Sequence, residues 1–272
     1  MARPNGRWLI HVLLLVGSAI AVLPVLLAVQ ASFKTLYDFY DRPLGLPSKW
    51  AWENYASVWQ QARIPEVAWN SVVVCAISVP LILLISSLAA FGLARYRFRG
   101  NTAVYLYFLA GLIIPVQLSI LPTVLLLKTL RIVNTYPGLI LPYVGLGVPF
   151  SVFILTGFLR TLPRDLEEAA RIDGAGEHTI YWRIMLPLSA PALATVAILN
   201  FVGIWNDFFF PLVVAPALPT LQVGVNNLRG YYSTQWGLIF AGVTLSVLPL
   251  LVGYVLLTKQ FIRGIAAGAV RG

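Results

Sequence analysis

Five of the ten acidic residues, Asp165, Glu167, Glu168, Asp173 and Glu177, fall in the short stretch between Arg160 and Ala190. Carboxylates this dense can do acid–base work, hold a metal or meet a basic protein surface. The first two uses lack companions. His11 and His178 are the only histidines and Cys75 the only cysteine, so neither a disulfide nor a metal-type cysteine spacing is available. There is no His-Glu-x-x-His pattern and no Gly-x-Ser-x-Gly elbow. No Gly-Lys pair occurs, so a phosphate-cradling loop ending in Gly-Lys-Ser/Thr is missing, and any ATP hydrolysis is expected on another chain. The reading is a chain that is not an enzyme by itself and binds no metal or cofactor.

The acidic stretch has the grammar of a helix, a turn and a second helix. Pro163 suits a first helical turn, and Asp165, Glu167 and Glu168 follow where the helix dipole favours negative charge. Leu166, Ala169 and Ala170 fall on one face, and Gly174 is placed to end the helix in a left-handed turn. A second amphipathic piece sets Ile180, Tyr181, Ile184 and Met185 on one side, and Pro187 is expected to stop it. Alanine and glycine leave room for another backbone to approach. The element is either a docking surface for a second protein or a hairpin packed on its own bundle.

The elements that carry this loop are set by composition. Hydrophobic residues make up 59% of the chain and charged residues 11%, with a mean hydropathy of +0.82. A soluble domain carries about 25% charged residues, so a water-exposed surface cannot be covered here. Six apolar segments have spanning length: Trp8–Gln30, Ser71–Ala94, Val104–Leu127, Pro137–Leu159, Pro191–Val213 and Trp236–Leu257. They are continuous instead of alternating, which predicts helices over barrel strands and an all-α membrane protein of six transmembrane helices. The acidic loop then lies between spans four and five.

Orientation follows from the basic residues. With the amino terminus inside, Arg3, Arg7, Arg95, Arg97, Arg99, Arg160, Arg164, Arg171, Arg183, Lys259, Arg263 and Arg271 are inner, against Lys34, Arg42, Lys49, Arg63, Lys128, Arg131 and Arg229 outer. This bias predicts both termini and the acidic loop in the cytoplasm. The net charge of +9 is dispersed at the ends of apolar runs, which argues against nucleic acid. The first apolar run is too long for a signal peptide and is expected to be retained. Residues 31–70 form an outer excursion whose Trp50, Trp52, Tyr55, Trp59 and Trp69 suit the headgroup layer or a docking surface. Pro80, Pro115, Pro122, Pro142, Pro149 and Pro249 lie within spans, where neighbouring helices can repair the freed carbonyls.

Glu168-Ala169-Ala170, three residues, Gly174, nine residues, then Ile184-Met185-Leu186-Pro187 resembles the EAA motif of binding-protein-dependent ABC importer permeases in residue type and spacing. Glu167 through Ala175, with Asp173, is similar to the carbohydrate-uptake branch. Asn70-Ser71-Val72, Ala89-Ala90-Phe91, Leu93 through Gly100, Trp205-Asn206-Asp207-Phe208 and the tail Gly264 through Gly272 resemble the smaller permease of maltose-type sugar importers, so the likeness covers nearly the whole chain.

The resemblance implies one transmembrane domain over 1–272, a coupling loop over 160–190 that sits in a cleft of a cytoplasmic ATPase, and a cytoplasmic tail over 264–272, with Gly268, Arg271 and Gly272, reaching between two ATPase subunits. It implies a multi-pass protein of a bacterial or archaeal inner membrane, a second permease, two ATP-binding-cassette subunits carrying ATP and Mg, and an extracytoplasmic solute-binding protein. The solute would be a sugar or oligosaccharide, with a polyol or glycerol 3-phosphate as the alternative. A secondary transporter is a further alternative, but no internal repeat stands out and Asp207 is the only acidic residue within a span. Part of the solute path is expected on the fifth span, where Asn200, Ile204 and Asp207 share a helical face with Phe208 beside them, joined by Trp205, Asn206 and Gln117. The competing role for Asp207 and Asn206 is to hold helices together.

Overall fold

The computed structural model describes residues 7–228 and 235–269; past Val252 the description is limited to the course of the last helix. Among the described residues every regular element is helical. The chain forms two compact units, Met1–Val67 with Gly224–Pro249, and Ala68–Val223 with Leu250–Gly272.

The first unit contains α1 (Arg7–Ser32), α2 (Leu36–Asp41) and α3 (Glu53–Gln61). Helix α1 presents its apolar side chains outward along its length, as a membrane helix does. The segment that follows is tied by polar groups. Lys34, buried, donates to the carbonyls of Arg42 at 2.6 Å and Pro43 at 2.8 Å. Asp38 accepts the Ser48 hydroxyl at 2.7 Å. Burial holds the Lys34 amine below its ordinary pKa, opposed by Asp38, and the Ser48 hydroxyl is the main cause of the lowered Asp38 pKa.

The second unit is built around α7 (Tyr136–Thr161), preceded here by α4 (Ile64–Arg95), α5 (Asn101–Ile113) and α6 (Val116–Thr129). Thr135 caps α7 by accepting the Gly138 amide at 3.2 Å, and Gly138 is required because a Cβ there would run into the Ile132 carbonyl. Val74, Ile82, Leu139, Tyr143, Val148 and Phe210 form one buried cluster. Phe91, Leu155, Leu159, Ile180, Tyr181 and Met185 form a second. The elements that follow are α8 (Asp165–Ile172), α9 (Glu177–Ile180), a π-helical turn (Tyr181–Met185), α10 (Leu186–Leu188), α11 (Ala190–Asn206) and α12 (Phe209–Val214); α13 (Leu221–Asn226) and α14 (Trp236–Ala269) each belong in part to the first unit, through Gly224–Pro249.

Among the described residues three helices are long and apolar enough to cross a membrane, Ile10–Ser32, Ile64–Arg95 and Tyr136–Thr161, and two bent pairs, each counted as one span, raise the number to five. The third expected span is one such pair: α5 and α6 meet at 99° across Ile114 and Pro115. Proline disfavours the helical region for its predecessor, and Ile114 is extended at ψ 115. The fifth expected span is also interrupted. Helix α11 stops at Asn206, and α12 begins at Phe209. Pro80, Pro122, Pro142, Pro149 and Pro249 remain inside helices. The last helix continues beyond the expected end at Leu257, through residues assigned above to a tail, to Ala269.

Candidate functional site

The acidic loop folds as the helix, turn and second helix that the spacing predicts, with adjustments at both prolines and at Leu166. Pro163 stands just outside α8, whose cap is Arg164, and the second helix runs past Pro187 to Leu188 before turning by 71° into α11 at Ser189. Gly174 has φ +83, the left-handed turn that a side chain would strain. Ala170, Ile180, Tyr181 and Met185 are buried against Phe91, Leu155 and Leu159, and the Tyr181 and Ser87 hydroxyls lie 2.7 Å apart. Ile184 and Leu186 are half-buried beside them, whereas Pro187 is exposed.

The two glutamates of the motif part company. Glu167 turns into the unit and places Oε1 2.7 Å from Arg95 Nε, with side chains only 4% and 2% exposed. Arg95 also donates to the Leu162 carbonyl at 3.1 and 3.2 Å, so one guanidinium holds the ends of α4 and α7 together with the start of α8. Arg171 continues the network, with Nε 2.8 Å from Glu177 Oε1 and Nη2 3.5 Å from Glu167 Oε2. Tyr96 donates its hydroxyl to Glu177. Burial and that contact push the Tyr96 hydroxyl up to about 12, so it remains a donor at neutral pH.

Glu168, Ala169, Asp173 and Gly174 remain on the outer side. With them stand two apolar side chains: Leu166, expected on one face with Ala169 and Ala170 but 43% exposed, and Ile172, not singled out from sequence, which is 86% exposed at the tip beside Gly174. Helical spacing does not signal them: Leu166 and Ala170 are four residues apart and share a helical side, yet only Ala170 reaches the core, and Ile172 stands in the last turn before Gly174. The loop is thus anchored on one face and free on the other. The free face carries the acidic Glu168 and Asp173, the small Ala169 and Gly174, and the aliphatic Leu166 and Ile172.

The expected solute-path residues are brought together only in part. Asn200 donates to Ser151 Oγ at 3.0 Å and to the Val196 carbonyl at 2.9 Å, tying α11 to α7 where Gly147 leaves room. Ile204 packs on the first core cluster. Asp207 does not continue their helical face: it leaves the helix with ψ 124. Its Oδ1 accepts the amides of Phe209 at 3.1 Å and Phe210 at 3.3 Å, and its Oδ2 accepts the Tyr143 hydroxyl at 2.9 Å. A carboxylate on the first amides of α12 is favoured by the helix dipole. Phe208 is half-buried, Asn206 exposed and Trp205 buried at 2% exposure. Gln117 is exposed on the first turn of α6, just past the break at Pro115. Gly268 lies at the end of α14; Arg271 and Gly272 fall outside the described residues.

No group of three or more histidine, cysteine or carboxylate side chains is placed to hold a metal among the described residues. The family model described as "Binding-protein-dependent transport system inner membrane component" matches residues 82–266, which span both bent pairs and the acidic loop. The diacetylchitobiose uptake system permease protein of Streptomyces coelicolor is 38% identical over 96% of this chain and 88% of its own length. An arabinooligosaccharides transport system permease protein of Halalkalibacterium halodurans is 34% identical over 99% of this chain and 98% of its own. A crystal structure of a bacterial ABC transporter involved in import of the acidic polysaccharide alginate contains a chain with the same fold, at a TM-score of 0.81 and 20% identity, over 96% of this chain and 99% of that one. On the family match and these identities, the chain belongs to the binding-protein-dependent transport system inner membrane components, the integral, non-catalytic permease subunits of ABC importers.

Proposed function

We propose that this subunit carries a sugar or oligosaccharide into the cytoplasm, driven by ATP hydrolysed with Mg on two ATP-binding-cassette subunits. A second permease completes the pore, and an extracytoplasmic binding protein delivers the solute. Both termini and the 160–190 loop face the cytoplasm, the 264–272 segment meets the ATPase subunits, and the whole chain works as one transmembrane domain. The observation that carries the reading is the divided loop: Glu167 and Ala170 fasten it inward, while Glu168, Ala169, Asp173 and Gly174 stand free beside Ile172. A charged group next to a small apolar tip suits a cleft that has basic residues at its rim. The oligosaccharide uptake named for the two sequence relatives supports the solute class.

Asn200, Ile204, Asp207 and Phe208, with Trp205, Asn206 and Gln117, are proposed to border the path. Asn200 and Asp207 do so while also bracing α11 and α12. Calorimetry of the partner binding protein across sugars, polyols and glycerol 3-phosphate, followed by uptake of the ligand into vesicles containing the whole transporter, tests the proposal. Sugar binding with ATP-dependent uptake is expected. Binding of only polyols or glycerol 3-phosphate overturns the solute class, and uptake without ATP overturns the mechanism.

A further inference from the structure

Where α4 and α7 end and α5 begins, the second unit has a cavity of about 380 Å³ lined by Tyr96, Arg97, Phe98, Thr102, Arg160 and Arg164. It contains three arginines and no acidic residue. Every ion pair among the described residues involves other basic groups, so none of these arginines has a carboxylate within 4.0 Å. Of the nearby carboxylates, Glu167 is engaged by Arg95 and Arg171, and Glu177 by Arg171 and Tyr96; Asp165 and Glu168 follow Arg164 in the chain but stand exposed on α8 and are not among the lining residues.

The cavity is held open by its own contacts. Arg160 stands 5.0 Å over the Tyr105 ring, and the Asn101 side-chain amide donates to the carbonyls of Leu93 at 3.2 Å and Tyr96 at 2.9 Å. Gly100 at φ +92 turns the chain into α5, and Asn101 and Thr102 of its first turn line the cavity.

Arginine forks match phosphate oxygens in pairs. Two features favour a phosphate carried by a lipid over a soluble one. Two of the helices that end here are long enough to span a bilayer, which puts the cavity at headgroup depth. Phe98 at 47% exposure and Tyr96 at 38% flank it, as interfacial aromatics do. We propose that this cavity binds the phosphodiester of an anionic phospholipid headgroup, with Arg97, Arg160 and Arg164 on the phosphate and Phe98 and Tyr96 against the glycerol backbone and upper acyl chain. The assignment to the cytoplasmic leaflet rests on the orientation proposed above; the ligand chemistry does not.

The full chain is purified in mild detergent from vesicles of phosphatidylcholine and phosphatidylglycerol, and the retained lipid is counted by native mass spectrometry. Retention of one phosphatidylglycerol is expected to weaken by about fivefold for each of Arg97→Gln, Arg160→Gln and Arg164→Gln. Arg63→Gln and Lys128→Gln, at other helix ends, are expected to leave it unchanged. The three arginine-to-lysine variants keep the charge and guard against a folding defect, so they are expected to retain more lipid than the glutamines. Equal retention by the parent and the triple glutamine variant overturns the site. Displacement of the lipid by millimolar inorganic phosphate assigns the cavity to a soluble anion and overturns the lipid assignment, as does one-for-one displacement by the ATPase subunits. Outside labelling of Asp173→Cys would reverse the leaflet and the proposed orientation together, while lipid retention would stand.

Discussion

Arg95 and Glu167 place opposite charges where water scarcely reaches them, and the value of such a pair lies in what its loss leaves behind. Removing one partner strands a buried charge, at a cost of about 3–5 kcal/mol. Arg95→Ala is therefore expected to lower the unfolding temperature of the detergent-solubilised chain markedly, and Arg95→Glu combined with Glu167→Arg to recover part of the loss. Glu168→Lys changes an exposed neighbour of the same charge, so insertion and thermal stability should match the parent while solute-stimulated ATP hydrolysis by the whole transporter fails. Parental hydrolysis in that variant removes Glu168 from the coupling contact. The contrast was only half legible in the sequence. Spacing grouped Ile180, Tyr181, Ile184 and Met185 on one side, and it grouped Leu166 and Ala169 with Ala170, of which only Ala170 is buried; Glu167 and Glu168 are adjacent acids, and only a partner 72 positions away distinguishes them. Asp207 repeats the lesson. Neither glycine nor proline marks the end of α11 at Asn206, so an intact helix was expected where the carboxylate in fact collects two amides and a tyrosine hydroxyl. Asp207→Ala is expected to destabilise the chain by about 1–3 kcal/mol, because it leaves those donors unpaired. A shift in thermal unfolding tests this, and an unchanged curve would return Asp207 to a purely solute-facing role.

Among the elements, hydropathy located the apolar segments but not their interruptions. Of Pro80, Pro115, Pro122, Pro142, Pro149 and Pro249, only Pro115 marks a break, because packing around the others holds the preceding residue helical against its local preference. The hairpin turn was better marked, since Gly174 has the one residue type that enters φ +83 freely. A Cβ at that position meets open space, so Gly174→Val should cost only the backbone strain, about 1–2 kcal/mol, and disturb the loop tip without disturbing the bundle. Faster proteolysis confined to the loop is the expected readout. In the other unit, the segment from α2 to Ser48 depends on pH. Because folding lowers the Asp38 pKa, its contribution is fully present above the ordinary carboxylate range, near about 4, and is lost as pH falls through the lower folded value. Protease access to residues 42–48 should rise only at acid pH in the parent and be high at all pH values in Asp38→Ala.

At the scale of the molecule, topology is the prediction with the widest reach. Cys75 is buried, so Cys75→Ser gives a background for single-cysteine labelling, with Asp173→Cys at the loop and Ser48→Cys in the excursion. An impermeant external reagent should reach only Ser48→Cys in intact cells; the reverse pattern inverts the chain. The fastening of the loop to α4 also has a mechanical side. Helix α4 has 32 residues and so measures about 48 Å, and its last turn is clamped to the hairpin by the Arg95 side chain and by the packing of Phe91 on Tyr181. With the coupling role proposed for it, a hairpin seated so firmly would act as the short arm of a crank. A rotation of about 5° imposed there would sweep the far end of a rod this long through about 4 Å, so a modest push on the tip becomes a displacement as wide as a side chain at the opposite face of the membrane.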